Sequence, residues 1–184
     1  MKKIKTKSLV LCALFTALTA VGAFIRIPIP VLPFTLQTLF VILSGLLLGS
    51  KRGAVSSGLY MVIGLIGIPV FTAGGGIWYV LKPSFGYIIG FVVGSYIAGL
   101  IIEKSEKFSY KRSLTACFAC LAAVYIIGLI YYYIICNYVI NTPIAVWPLF
   151  LHCFLMVVPG DICLCFLAVV LHKRLSPVIK KFIA

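Results

Sequence analysis

The residue with the clearest capacity for chemistry is Asp161, which follows Pro159-Gly160 inside a long apolar run. The 184 residues contain two other acids, Glu103 and Glu106. Both stand at the end of an apolar run, where Glu103 is spaced to pair with Lys107 one helical turn later. An ionisable group in apolar surroundings is costly unless it faces a partner or a wet cavity. Asp161 is therefore the first candidate for ligand binding. The alternative is a protonated or locally hydrogen-bonded carboxyl that fixes a kink.

Catalytic patterns are missing from the sequence. It has no nucleotide-binding P-loop, no HExxH zinc helix and no G-x-S-x-G elbow. Cys117-x-x-Cys120 lacks a second pair or nearby histidines, so it does not indicate a metal or redox site. We expect a binding protein with no catalytic residue, cofactor or metal, because the one acid in an apolar run has no paired base.

Two stretches between apolar runs carry further polar candidates. The first, 26–37, begins with Arg26 and contains three prolines that favour a stiff, extended path. Pro33 is placed to start a helix, with Thr35 and Gln37 in its first turns. The second stretch, 68–84, combines glycines and aromatics with Lys82, and it would either close over a ligand or form a passive interfacial loop.

The composition indicates whether this protein is surrounded by water or by lipid. Hydrophobic residues make up 63% of the chain and charged residues 10%, and the mean hydropathy is +1.20. Such a chain has too little polar surface for a soluble globule, so we predict an all-α membrane protein. A crossing needs roughly 20 apolar residues, and six runs approach that length: about 8–25, 34–50, 53–68, 85–103, 113–137 and 147–172.

Lys and Arg indicate the orientation. The net charge is +13, but 14 of the 16 cations fall in the N-terminus, the C-terminus and the connections after the second and fourth runs. Clusters between apolar runs do not form a nucleic-acid-binding face, so we expect no nucleic acid partner. The positive-inside rule puts both termini in the cytoplasm. Arg26 and Lys82 are left on the outside, where they are either solvated loop charges or recognise an incoming anion.

Small residues recur at helical spacing in two runs. Gly86, Gly90, Gly94 and Ala98 form one stripe, which predicts close packing against a neighbouring helix. Ala13 and Ala17 form a second, shorter stripe. The second stripe would pack within the bundle or present a docking face to a partner helix, and the spacing does not separate the two.

Several motifs in order along the chain resemble one family. They are Ala17-Leu-Thr-Ala-Val-Gly-Ala-Phe-Ile-Arg-Ile-Pro-Ile-Pro30, Pro33-Phe-Thr-Leu-Gln-Thr38, Gly45-Leu-Leu-Leu-Gly49 with Lys51-Arg-Gly53, Pro83-Ser-Phe-Gly-Tyr87 with Gly90-Phe91, and Pro159-Gly-Asp161. Together they are similar to the BioY family, the biotin-specific S-components of energy-coupling factor (ECF) vitamin transporters.

The resemblance implies a fold, a ligand and partners. It implies one six-helix transmembrane domain over 1–184, in a bacterial cell membrane, that binds biotin near the external side. It also implies a transmembrane coupling subunit, which the Ala13 and Ala17 stripe would face, and two cytosolic ATPases that would hydrolyse ATP in place of this chain.

The candidate residues can be matched to biotin group by group. The ureido edge would be met by polar side chains, namely Asp161, Thr35 and Gln37. Walls for the ring and chain would be aromatic: Trp78, Tyr79 and Tyr87.

The biotin carboxylate needs a fixed cation. Many family members carry lysine one turn after the aspartate, but Leu164 stands there in this chain. We expect Arg26 to replace that charge, with Lys82 as the second candidate. The rival readings are an S-component for riboflavin or thiamine, a membrane enzyme dependent on Asp161, and a structural subunit that binds no small molecule.

Overall fold

A computed structural model describes residues 6–27, 34–105 and 108–183. Within these ranges the chain is mostly helical, and its α-helices are α1 (Thr6–Phe24), α2 (Gln37–Leu48), α3 (Ser50–Leu65), α4 (Phe85–Glu103), α5 (Tyr110–Ile134), α6 (Val146–Phe150) and α7 (Val158–Ile183). A 3₁₀-helix spans Ile77–Leu81, and π-helical turns span Ile135–Val139 and Leu151–Leu155. Two short antiparallel strands, β1 (Arg26–Ile27) and β2 (Phe34–Thr35), pair Arg26 with Thr35.

Helix α2 lies at the centre of the bundle. Its sequence, QTLFVILSGLLL, is apolar on nearly every side, as expected for a helix surrounded by others. It contacts α1, α3, α4, α5 and α7, and Val41 and Ile42 are fully buried. Residues at its N-terminal end therefore face the interior of the bundle.

The junction between α2 and α3 is a single residue. Gly49 takes a φ of 85°, which only glycine adopts without strain. Glu103 accepts hydrogen bonds from the Ser50 amide at 2.8 Å and the Ser50 hydroxyl at 2.7 Å. The prediction of a loop at 51–52 was wrong, since both residues lie in the first turn of α3. Lys107, the expected partner of Glu103, lies outside the described residues.

The glycine stripe of α4 packs against α5, as predicted. A Cβ atom on Gly90 would lie 2.8 Å from the Cα of Val124, and one on Gly94 would lie 2.9 Å from the sulfur of Cys120. In return, a Cβ on Gly128 of α5 would lie 2.6 Å from the ring of Tyr87. The stripe therefore brings the two backbones together and seats Tyr87 between them.

The surface is that of a membrane protein. Four helical segments of the described chain are long and apolar enough to cross a bilayer: Thr6–Phe24, Phe85–Glu103, Tyr110–Val139 and Val146–Phe182. Large apolar side chains cover the outside, whereas small polar ones are buried between helices. Thr16, for example, donates to the carbonyl of Cys12 and lies against Ser56. Helices α2 and α3, with 12 and 16 residues, are shorter than a full crossing.

The last apolar run is divided rather than continuous. Helix α6 and its π-helical turn end in a turn at 156–157, and α7 begins at Val158. Pro159 stands at the start of α7, a position that tolerates its missing N–H. Asp161 therefore lies in the first turn of a helix. At the other end α7 continues to Ile183, past the predicted limit of 172.

Candidate functional site

A cavity of about 60 Å³ lies where the N-terminal ends of α2, α4 and α7 approach each other. The loop 68–84 borders it, as do side chains of α3 and α5. The described lining residues are Thr35, Gln37, Thr38, Tyr60, Thr72, Tyr79, Ser84, Tyr87, Ile88, Phe91, Val124, Tyr125, Val157 and Asp161. None of these is Lys or Arg, so the walls combine neutral polar groups, aromatic rings and a single acid.

Asp161 forms one end of the cavity. Its side chain is 3% exposed, and its Oδ2 accepts a hydrogen bond from the Tyr125 hydroxyl at 2.5 Å. Its Oδ1 is buried and makes no hydrogen bond of ordinary geometry to a described residue, although the Thr38 side chain lies close to the carboxyl. The start of α7 favours a negative charge here, because helix N-termini carry partial positive charge. A buried acceptor without a donor costs about 1–3 kcal/mol, which a ligand N–H would relieve.

Local packing places this carboxyl. The Asp161 amide donates to the carbonyl of Val157 at 3.2 Å, which closes the first turn of α7. Gly160 allows the ring of Phe34 to lie against that turn, since a Cβ there would lie 2.5 Å from the ring. The short strand β2 is thereby held beside α7, with Thr35 next to the acid's end of the cavity.

A chain of hydrogen bonds forms a second polar wall. Thr35 donates to Oε1 of Gln37 at 3.3 Å, and Gln37 Nε2 donates to the Tyr60 hydroxyl at 2.6 Å. Tyr60 in turn donates to the carbonyl of Val70 at 3.1 Å. The wall therefore connects the start of α2 to the loop 68–84. The predicted helix start at Pro33 was wrong, because α2 begins at Gln37 and Thr35 lies in β2. Pro33 itself lies outside the described residues.

Aromatic rings line the remaining sides. Phe71 packs edge-on to Tyr60 at 5.4 Å and against Tyr79 at 4.5 Å between ring centroids. On the other side, Tyr87 and Tyr125 meet edge to face at 6.1 Å. The loop 68–84 thus supplies a buried wall through Tyr79, which Phe71 supports from behind. This arrangement favours the covering role over that of a passive loop.

Arg26 and Lys82 both donate hydrogen bonds to this loop. The Arg26 guanidinium donates to the carbonyl of Thr72 at 2.7 Å, and Lys82 Nζ donates to the carbonyl of Ala73 at 3.0 Å. Lys82 also lies 4.9 Å from the centroid of the Tyr79 ring. Both cations are exposed and neither lines the cavity, but both reach adjacent carbonyls at its rim.

The structure brings five of the eight predicted ligand residues together at the cavity: Asp161, Thr35, Gln37, Tyr79 and Tyr87. Arg26 and Lys82 lie at the rim. Trp78 is 79% exposed and does not line the cavity. Leu164 is buried in the apolar core, so α7 contributes no cation beside Asp161.

Sequence reasoning missed several lining residues, above all Tyr125 and Tyr60. Tyr125 lies in the middle of the long apolar run that becomes α5, where a phenolic hydroxyl needs an internal partner. A polar atom in the middle of an apolar run was therefore the feature of the sequence that could have indicated Tyr125. Tyr60 carried a similar signal within α3, where it is 1% exposed.

Ala13 and Ala17, the predicted docking residues, are both exposed on α1. Between them Leu14 is 49% exposed, and Val10 on the same helix is 54% exposed. This side of α1 is therefore not covered by other helices of the described chain.

A buried cavity with one acidic end, enclosed by membrane-spanning helices, defines a class of protein: a multi-pass membrane protein that binds a small molecule inside its helical bundle. The chain belongs to the BioY family, whose sequence model matches residues 1–181. This family consists of transporter S-components and not of enzymes.

Individual relatives agree with this assignment. A protein of Lysinibacillus sphaericus described as "Probable biotin transporter BioY" is 43% identical over 98% of this chain and 92% of its own length. The biotin transporter BioY of Thermotoga maritima is 40% identical over 66% of this chain and 72% of its own length. The crystal structure of an S-component for biotin from an ECF-type ABC transporter matches with a TM-score of 0.80 and 28% identity, covering 96% of this chain and 94% of that one.

Proposed function

We propose that this protein captures biotin at the external side of the membrane as the S-component of an ECF-type importer. The observation that carries the proposal is the Oδ1 of Asp161, which is buried without a donor in the wall of a cavity lined by aromatic rings and small polar side chains. A biotin ureido N–H is a donor of the kind that this atom lacks. Its carbonyl would accept from Gln37 or Thr35, and its sulfur ring would pack against Tyr79 and Tyr87.

The carboxylate of biotin would leave the cavity at its rim. Arg26 and Lys82 bind backbone carbonyls there, and a carboxylate is a stronger acceptor for both cations than a neutral carbonyl. If the ligand carboxylate replaced the carbonyl of Thr72 or Ala73 as the acceptor, each cation would still have a hydrogen-bond partner. Arg26 is the favoured partner because its guanidinium can bind a carboxylate with two parallel hydrogen bonds.

Biotin binding requires the cavity to enlarge. Ligand pockets usually enclose about 300–1,000 Å³, several times the about 60 Å³ between these side chains. The loop 68–84 is the element that we propose moves, because apart from the packing of Phe71 and Tyr79 it is attached to the bundle by a few hydrogen bonds. Gly67, just before the loop, and Gly74 and Gly76 within it have positive φ values, which allow sharp changes of direction.

The membrane arrangement follows from the same proposal. Six crossings would comprise the four long segments together with α2 and α3, which the Gly49 junction joins. The clusters of Lys and Arg put both termini in the cytoplasm, and the Asp161 cavity then opens outward. The exposed Ala13 and Ala17 on α1 would contact a transmembrane coupling subunit, and two cytosolic ATPases would supply the energy.

Thermal unfolding of the detergent-purified protein with a panel of vitamins tests the substrate. Biotin at 100 times its Kd should add about 2.7 kcal/mol to the free energy of unfolding, while riboflavin and thiamine should add nothing. Biotin methyl ester, which lacks the carboxylate, should stabilise the protein less than biotin. Stabilisation by riboflavin or thiamine instead of biotin would contradict the proposal.

A further inference from the structure

A second cavity lies at the opposite end of the bundle from Asp161. It encloses about 560 Å³ and is bordered by the Gly49 junction, the C-terminal end of α4, the start of α5 and the last turns of α7. Glu103 borders this cavity and Tyr87 borders the first, and the two residues lie roughly 24 Å apart along α4 at about 1.5 Å per residue. The proposed biotin site makes no use of this space.

Four cations border the second cavity, namely Arg52, Arg112, Lys173 and Lys180. The one acid among its described lining residues is Glu103, whose two oxygens both accept hydrogen bonds from Ser50. The charge at the wall is therefore strongly positive. Such a site is suited to an anion that carries several acceptor oxygens.

Two of these cations are held by hydrogen bonds to the protein. Arg112 donates to the carbonyl of Ser105 at 3.4 Å, and Lys173 donates to the Tyr110 hydroxyl at 2.5 Å. Each lining cation also has a sequence neighbour of the same charge that does not line the cavity. The four neighbours are Lys51, Lys111, Arg174 and Lys181. One cation of each basic pair thus lines the cavity, and the other does not.

The remaining wall indicates what kind of anion would fit. Ser105, Ser109, Ser113 and Ser176 also line the cavity, and Leu46, Ile102 and Phe108 supply an apolar side. Next to the cavity, Leu175 and Val178 of α7 are 38% and 63% exposed on the bundle surface. A polar head beside an apolar surface corresponds to a phospholipid rather than to a free soluble anion.

We propose that this cavity binds the phosphate headgroup of an anionic phospholipid from the leaflet that faces the Lys- and Arg-rich end of the bundle. Basic pockets between membrane helices are known to hold such headgroups, and each nearby Lys or Arg strengthens the attraction. The acyl chains lie along the exposed apolar surface of α7. The headgroup bridges α3, α5 and α7, so lipid binding stabilises the junction between these helices.

The test compares two quadruple variants with the same change in charge. One replaces the lining cations by Gln (R52Q, R112Q, K173Q and K180Q), and the other replaces their neighbours (K51Q, K111Q, R174Q and K181Q). Native mass spectrometry counts bound phosphatidylglycerol, and melting temperature measures stabilisation, with phosphatidylcholine of the same acyl chains as the neutral lipid. Monodisperse elution and helical circular dichroism confirm folding, and the single pair R52Q and K51Q replaces the quadruple variants if either fails to fold.

Phosphatidylglycerol, but not phosphatidylcholine, should bind and stabilise the parent protein and the neighbour variant. The lining variant should lose this effect, by about fivefold in apparent affinity for each cation removed. Equal losses in both variants, or no loss in either, would overturn the proposal. Equal stabilisation by inorganic phosphate would also overturn it in favour of a soluble anion. Intact lipid binding with lost assembly onto the coupling subunit would assign the cavity to an acidic protein partner instead.

Discussion

The hydroxyl of Tyr125 on α5 donates to Oδ2 of Asp161 on α7 at 2.5 Å, across 36 positions of sequence. This bond fixes the orientation of the carboxyl, whose other oxygen, Oδ1, is buried without a hydrogen-bond donor among the described residues. A tyrosine thus performs the positioning that a neighbouring cation would otherwise perform. It does so without a charge that could repel ligand N–H donors.

Replacing Tyr125 with Phe should weaken biotin binding by about 10- to 100-fold, the range for a lost hydrogen bond to a charged group. The ring remains, so the packing against Tyr87 should persist and the protein should fold. Isothermal titration or a fluorescence displacement assay measures the change. Tyr96→Phe is the matched control, because Tyr96 lies on α4 with 40% exposure and does not line the cavity.

A double-mutant cycle with Asp161→Asn separates positioning from general packing. If Tyr125 acts through the carboxyl, Tyr125→Phe should cost little further affinity once Asp161 is Asn. Additive losses would show that the tyrosine contributes independently of Asp161.

Asp161→Asn should affect binding and stability in opposite directions. Biotin affinity should fall by at least about 100-fold, since the amide offers one oxygen acceptor in place of two. The ligand-free protein should melt at the same or a higher temperature, because a neutral amide is less costly to bury than a carboxylate without a cation. Thermal scans with and without biotin measure both effects. A large drop in ligand-free stability would indicate a structural role instead.

Glu103→Ala should destabilise the protein while leaving biotin affinity unchanged. The change removes two hydrogen bonds at the start of α3, for which a loss of about 1–3 kcal/mol is expected. Glu103→Gln retains one acceptor oxygen and should show a smaller loss. Chemical or thermal unfolding measures the difference, and a change in biotin affinity would contradict the separation between the two ends of the bundle.

Gly90→Ala and Gly58→Ala should have opposite effects on stability. A Cβ on Gly90 would lie 2.8 Å from the Cα of Val124, so α4 and α5 would be forced apart. A Cβ on Gly58 meets nothing within 4 Å, and alanine there should gain up to about 1 kcal/mol in helix propensity. Melting temperatures of the two variants, measured in the same detergent, compare them directly.

Arg26→Ala should lower biotin affinity by about 10-fold or more and should reduce the advantage of biotin over its methyl ester. Arg26→Lys should restore part of the loss, because it keeps the charge but not the bidentate geometry. The measurement is the ratio of the two affinities for each variant. If Arg26→Ala changes neither affinity, the carboxylate partner is Lys82, and Lys82→Ala should then show the effect.

Sequence patterns predicted the helical, membrane-embedded character and the close α4–α5 packing. Both follow from local composition and from spacing along one helix. They also predicted that Asp161 binds a ligand, because a carboxyl in an apolar run is costly unless it faces a partner or a wet cavity. Thr35 and Gln37 were predicted on other grounds, from the polar side chains after Pro33 and from the family resemblance, and their place at the same cavity depends on β2 lying beside α7.

The remaining features depend on contacts between distant segments. Two of these contacts are the hydrogen bond from Tyr125 to Asp161 and the hydrogen bonds from Ser50 to Glu103. Each joins residues far apart in the chain, so no local spacing indicates it. The break before α7 was missed because apolar residues continue through the turn at 156–157, so hydropathy alone does not register it. The bonds from Arg26 and Lys82 to loop carbonyls were equally invisible, since backbone acceptors carry no sequence signature.

The contracted cavity has a kinetic consequence. A cavity of about 60 Å³ is smaller than a vitamin-sized molecule. If the proposed movement of the loop 68–84 precedes entry, the observed association rate should level off as the biotin concentration rises. That plateau would equal the opening rate of the loop, held closed by Tyr60, Arg26 and Lys82. Slow escape through the same step would give long residence times, which suits a scavenger working at very low vitamin concentrations.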